Sequence, residues 1–151
     1  MFDLKYDTPF SWTEAVLADF DTFLQDHASA EKKASGMAVS MISHYPDRTR
    51  LVRAMADLAI EELIHFKEVI KIIQKRGSQL GDDVKDTYVK DLRKLFRHGQ
   101  AEFFLDRLIV GGVIEARGYE RFSLVAKALP EGPEKAFYSE IAASEKTHKN
   151  L

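Results

Sequence analysis

Residues 51–77 read LVRAMADLAIEELIHFKEVIKIIQKRG, and the fold turns on how this run is read. Met55, Leu58 and Ile72 recur at helical spacing and predict an amphipathic helix with one apolar stripe. Glu62 and His65 fall within that stripe, three residues apart on one helix face. A carboxylate and an imidazole among core side chains need partners, because a buried unpaired charge is costly.

The partner lies near the other end of the chain. Residues 144–148 read SEKTH, in which Glu145 and His148 repeat the Glu-x-x-His spacing. Between the two motifs the period is helical almost throughout. A capping box, Ser11-Trp12-Thr13-Glu14, opens a first helix. Its stripe (Val16, Phe20, Phe23, Leu24, His27, Glu31, Ala34, Ala38, Met41) runs to about His44, where YPD breaks it. Asp47 is placed to cap a second helix that ends at Gly77. Residues 77–87 are polar and loop-like, and TYVKDLRKLFRHG reads as a short helix ending at Gly99. A third long helix covers Gln100 to Leu129 and stops at PEGP, where Pro133 suits the first turn of a fourth that runs to the chain end. Nothing reads as strand or repeat. Four long helices with short first and last connections and a long middle one predict an all-α bundle with a single crossover.

Depth along the helices strengthens the pairing. Glu31 stands 15 residues before Pro46, and Glu62 stands 16 after it. At roughly 1.5 Å rise per residue both carboxylates fall about 23 Å from the turn, level with each other in an antiparallel pair. The second pair repeats this around Gly132, with Glu115 17 residues before and Glu145 13 after. Each pair therefore sets a lone Glu opposite a Glu-x-x-His. Four carboxylates and two imidazoles at one level suit two cations, with iron or manganese favoured by this ligand chemistry. Without metal, the four like charges would repel and carry a large desolvation cost. Glu61 is the internal control: one residue off, it points about 100° away and is not expected to ligate.

Three neighbours of the motif are more ambiguous. His27, one turn before Glu31, reads as a core-edge histidine supporting the site rather than a seventh ligand. Gly111 and Gly112, one turn before Glu115, either allow close helix packing or leave space beside the metals. Tyr119 reads as a packed tyrosine.

Composition narrows the remaining classes. The chain has 151 residues, 45% hydrophobic and 30% charged, which suits one globular domain. It contains no cysteine, so disulfides, thiolate metal sites and thiol nucleophiles are excluded. A formal charge of −2 gives no global pull toward nucleic acid or membrane. No apolar run is long enough for a membrane span and the start lacks a signal-peptide layout, so a cytoplasmic location is expected.

The order Glu31, Glu62-x-x-His65, Glu115, Glu145-x-x-His148 resembles the ferritin-like di-iron carboxylate proteins. More narrowly, DHASAEKKAS, LAIEELIHFKEVIKIIQKRG, LIVGGVIEARGYERF and FYSEIAASEKTH are similar to the tRNA 2-methylthio-N6-isopentenyladenosine hydroxylase family. The resemblance covers nearly the whole chain from about Trp12. It implies a ferritin-like four-helix bundle in one domain over residues 1–151, C-terminally truncated relative to the family. It also implies a non-haem di-iron monooxygenase with two iron ions held by the six motif residues, no catalytic residue beyond them, and use of O2 and an external electron donor. The implied reaction hydroxylates the isopentenyl group of the modified adenosine in tRNA.

A charge bias fits such a substrate. From Lys67 to Arg97 nine basic residues face five acids, although the protein is net negative. Lys75, Arg76, Lys90, Arg93, Lys94 and Arg97 are the expected tRNA phosphate contacts, on a monomer or dimer. The competing reading is a ferroxidase or iron-binding protein of the same fold without an organic substrate. A non-enzymatic helical module leaves the six candidate ligands unexplained.

Overall fold

The computed structural model describes residues 4–148, with side chains for residues 4–146. Among these there are six helices and no strand: α1 (Phe10–Ala18), α2 (Phe20–His44), α3 (Thr49–Lys75), α4 (Thr87–Arg93), α5 (Gln100–Ala128) and α6 (Pro133–His148). They form two compact units, one of residues 18–84 and one of residues 1–17 with 85–151. The all-α class expected from the sequence is what the chain adopts.

The first unit is an α2–α3 hairpin. Its four-residue turn closes with the Arg48 N–H donating to Tyr45 O at 3.1 Å, and the Arg48 guanidinium lies over the Tyr45 ring. So short a link forces the helices antiparallel. The α3 face that packs inward is Leu58, Ala59, Glu62, His65, Val69 and Ile73, one stripe at helical spacing. It meets Leu24, Ala28, Glu31, Ser35, Ala38 and Met41 of α2. Leu24 and Val69 are wholly buried. Burying each such side chain stabilises by about 1.5–3 kcal/mol, so Leu24→Ala is expected to cost about 2–5 kcal/mol. Ser35 Oγ donates to Ala59 O at 2.8 Å, crossing the hairpin where Ala38, Leu58 and Ala59 pack closely.

At its far end α3 stops in a Schellman arrangement. The Ser78 N–H donates to Ile73 O and the Gly77 N–H to Gln74 O, with Gly77 at φ +80°. That left-handed conformation suits glycine. The chain then runs back along the outer face of α2 and is stitched there at helical intervals. Gln25 Nε2 donates to Gln79 O, Ser29 Oγ to Asp83, and Lys33 Nζ to Val84 O, while Lys32 pairs with Asp83 at 2.8 Å. This part of the crossover is thus an ordered strap on its own unit.

The second unit contains α1, α4 and an α5–α6 hairpin. Pro133 opens α6, where its missing N–H leaves no extra unsatisfied donor, and the Ala136 N–H donates to Gly132 O. Tyr138, Val125 and Ile141 are fully or almost fully buried. Tyr138 packs against Phe122 and Phe137, with ring centroids 5.9 and 5.1 Å away.

Four local expectations are corrected. The first helix is not continuous: it breaks at Asp19, whose carboxylate accepts from the Thr22 N–H at 3.2 Å and Thr22 Oγ1 at 2.8 Å, starting α2 afresh. The box at Ser11–Glu14 lies inside α1, which begins at Phe10. Asp47 does not cap α3; Arg48 stands at the N-cap without a side-chain bond. The short helix ends at Arg93 rather than Gly99. Among the described residues no helix is long and apolar enough to cross a membrane.

Candidate metal centre

In the first hairpin Glu31, Glu62 and His65 come together as the matched depths predict. They are 4%, 1% and 9% exposed, and one ligand atom of each lies within 4.8 Å of the others. His65 Nδ1 faces both carboxylates, 3.3 Å from Glu62 Oε2 and 4.0 Å from Glu31 Oε1. The i,i+3 spacing of Glu62 and His65 places them on one face of α3, and the short turn brings Glu31 level with them. Glu61, adjacent in sequence, is only half-buried.

His27 adds what spacing alone did not specify. It is buried one turn before Glu31, and its Nε2 lies 2.5 Å from Glu31 Oε1. Burial pushes its pKa down to about 3, with His65 acting the same way and Glu62 opposing. The imidazole is therefore neutral near pH 7. An ionised Glu31, the form that can hold a metal, can only accept, so the His27 Nε2–H would donate to it. Phe23 packs on the His27 ring, with centroids 6.1 Å apart, and holds its plane.

In the second hairpin Glu115 and Glu145 are also buried, at 8% and 4% exposure. Glu145 lies against α5 at Gly118, where a Cβ would sit 3.5 Å from Glu145 Oε2. That is ordinary contact, so small residues here bring the α6 carboxylate close to the α5 backbone. Gly111, Gly112 and Tyr119 are half-buried within α5. His148 is the last residue of α6, and its side chain lies outside what the structure describes.

The donor set fits a metal. Two buried carboxylates face one imidazole in the first hairpin, and two more acids are buried in the second, with no lysine or arginine buried among the described residues. Hard oxygen donors with a neutral nitrogen suit iron. A hydrogen-bonded second residue such as His27 is what orients a ligating side chain.

The predicted tRNA contacts divide differently. Lys75, Arg76, Lys90, Arg93, Lys94 and Arg97 are all exposed. Arg76 pairs with Asp21 at 2.5 Å and lies over the Phe20 ring, and Lys94 pairs with Asp91 at 2.7 Å. Arg97 grips Asp106 through Nη2 at 2.6 Å, Nε and its backbone N–H. Lys75, Lys90 and Arg93 make no ion pair among the described residues. Charge counting did not anticipate these local pairs, although acids at i−3 signal one of them.

Comparison with known proteins agrees with this chemistry. The chain is 38% identical over 141 residues to the tRNA 2-(methylsulfanyl)-N(6)-isopentenyladenosine(37) hydroxylase of Pseudomonas putida, covering 93% of this chain and 68% of that protein. It is 32% identical over 123 residues to the Salmonella typhimurium protein of the same name, covering 82% of this chain and 45% of that one. Among solved structures it is similar to Protein 43 with aldehyde deformylating oxygenase activity from Synechococcus. There the TM-score is 0.95 at 37% identity, over 99% of this chain and 75% of that one. That neighbour has the ferritin-like fold expected from the sequence. The family model for tRNA-(MS[2]IO[6]A)-hydroxylase (MiaE) matches residues 2–150, and the chain belongs to that family.

Proposed function

We propose that this chain is an iron-dependent monooxygenase that hydroxylates the isopentenyl group of 2-(methylsulfanyl)-N6-isopentenyladenosine in tRNA, in the cytoplasm, as a monomer or dimer. The observation that carries this reading is the buried Glu31–Glu62–His65 cluster in a chain of a tRNA hydroxylase family. Two iron ions are assigned to Glu31, Glu62, His65, Glu115, Glu145 and His148, with electrons from an external donor. Iron, when bound, supplies the O2-dependent oxidation of an unactivated C–H bond, which no side chain can perform.

The chain's own residues do the rest. His27, buried and 2.5 Å from Glu31 through Nε2, would donate to that carboxylate and hold its orientation. Leu24, Val69 and Ile73 flank the ligand positions one or two turns away and keep water from the carboxylates. Gly111 and Gly112 leave room on α5 for a branched apolar tail. Lys75, Lys90 and Arg93 offer exposed cations for tRNA phosphates.

The test is nucleoside mass spectrometry of tRNA from cells lacking this protein. The hydroxylated nucleoside should vanish, its unhydroxylated precursor should accumulate, and the wild-type gene should restore both. An unchanged nucleoside profile sinks the reading. The solved relative supports a second substrate class, an aldehyde that loses its formyl group. Formate release from aldehydes by the iron-loaded chain, with no action on tRNA, would favour that class.

A further inference from the structure

The second unit holds a cleft that the metal chemistry does not use. It encloses about 280 Å³ between the N-terminal segment, α4 and α5, and its walls include Tyr6, Thr8, Tyr88, Arg117, Glu120 and Arg121. We propose that this cleft is an anion site in which Arg117 and Arg121 hold a backbone phosphate of the RNA substrate.

The two arginines lie one turn apart on α5, so their side chains share a face. Each is held by an aromatic ring instead of a carboxylate. The Arg117 guanidinium lies 3.9 Å from the Tyr88 ring centroid, and that of Arg121 lies 4.7 Å from Trp12. Neither makes an ion pair among the described residues. The Arg121 Nε–H is buried and has no hydrogen-bond partner.

Of the acids near the cleft, Asp7 also lines its wall, Asp86 accepts from the Val89 N–H at the start of α4, and Glu120 is committed to Thr8. Glu120 Oε1 accepts from the Thr8 N–H at 2.6 Å, and its Oε2 accepts from Thr8 Oγ1 at 2.8 Å. These bonds hold the N-terminal segment against α5 and tie Glu120 to that wall. Burial, then the charge of Arg117, lowers the pKa of Arg121, with Glu120, Tyr88 and Asp86 opposing. Two guanidiniums one turn apart on α5, each stacked on its own ring, suit an oxyanion between them.

Phosphate on RNA fits better than a free carboxylate. Tyr6 stands at the rim with 87% of its surface exposed, a ring face on which an unpaired base can stack. Arg117 is two residues past Glu115, about 200° further around α5, so the cleft opens from a different face than the candidate ligand. This proposal rests on the tRNA reading above, and its test is chosen to separate the two.

The iron-loaded full chain is titrated with inorganic phosphate and with an anticodon stem–loop hairpin, following the arginine Nε–H resonances and the hairpin's anisotropy. Both ligands should shift the Arg121 Nε–H. Arg117→Gln should weaken hairpin binding about tenfold and reduce its salt slope by about one, with iron content unchanged. Arg117→Lys should recover only part of the affinity, since it restores charge without the fork. Arg117 is tested because Arg121 packs on Trp12 and its loss risks the fold. Hairpin binding with unaltered affinity and slope in Arg117→Gln overturns the cleft and leaves the hydroxylase reading standing. A response to phosphate alone overturns RNA as the source of the anion. If the wild-type chain binds no hairpin and the nucleoside profile is also unchanged, both readings fall together.

Discussion

The two hairpins carry the same pattern with one difference. In the sequence of each, a lone Glu on the first helix is matched by a Glu-x-x-His on the second. Four residues before Glu31 stands His27, buried and bonded to it. Four residues before Glu115 stands Gly111, with no side chain at all. One turn before its carboxylate, the first hairpin places an imidazole bonded to Glu31, and the second places a half-buried glycine. Under the proposed function this difference divides the labour: α2–α3 would anchor a metal, and α5 would provide room for what reacts.

The strongest way to break this comparison is to remove an anchor. Glu62→Ala deletes a carboxylate that is almost wholly buried, and iron-loaded protein should then retain almost no iron, against the two ions proposed for the wild-type chain. Glu61→Ala, one position away and only half-buried, should retain the wild-type content. Elemental analysis of the two variants decides it. Equal losses would mean that the facing argument for α3 is wrong.

His27 offers the next largest effect. His27→Ala should weaken iron binding by roughly 10–100-fold, the usual cost of losing a ligand's hydrogen-bonded support. His27→Gln, which can still donate toward Glu31, should recover part of it. Chelator competition measures both. If alanine and glutamine behave alike, His27 acts through packing and not through its proton.

Gly111 should behave in the opposite sense. Gly111→Ala removes a helix-weakening glycine and is expected to raise stability by about 0.5–1 kcal/mol. Iron content should stay at the wild-type value while turnover on tRNA falls several-fold, because a methyl group fills part of the proposed space. A stabilised variant with unchanged turnover would reduce Gly111 to a packing residue.

How much of this could be read from the chain follows from the period. Glu31, Glu62 and His65 were legible because helical spacing and turn position fix both face and depth, and these are properties of sequence. The break at Asp19 was not, because Val16 and Phe20 keep helical spacing across it and only the capping bonds to Thr22 reveal it. Ser35 was missed for a related reason: its bond to Ala59 O depends on how closely the helices approach. The basic run was legible as charge but not as free charge. Arg76 and Arg97 find acids 55 and 9 residues away, pairings that depend on tertiary position.

That distinction yields the smallest predicted effect, at the exposed ends of the two hairpins. The first hairpin pairs Asp21 with Arg76, and the second pairs Arg97 with Asp106. Arg97 was expected to contact tRNA, yet its fork and backbone N–H are engaged by Asp106. Reversing Lys90 and Arg93 to Glu should therefore weaken tRNA binding, whereas Arg97→Gln should chiefly loosen the start of α5. The hydrogen bond from the Arg97 side chain, then its backbone N–H, holds the Asp106 pKa down to about 2, against burial. A depressed carboxylate contributes stability above its ordinary value of 3.8 and loses it as pH falls through about 2. Asp106→Asn should lower stability slightly at neutral pH and remove this contribution to acid sensitivity between about pH 4 and 2. Exposed pairs are weak, so the change is expected to be small. Denaturant melts at pH 7, 4 and 2 read it directly. A variant with the wild-type pH dependence would show that the fork positions Arg97 without stabilising the hairpin.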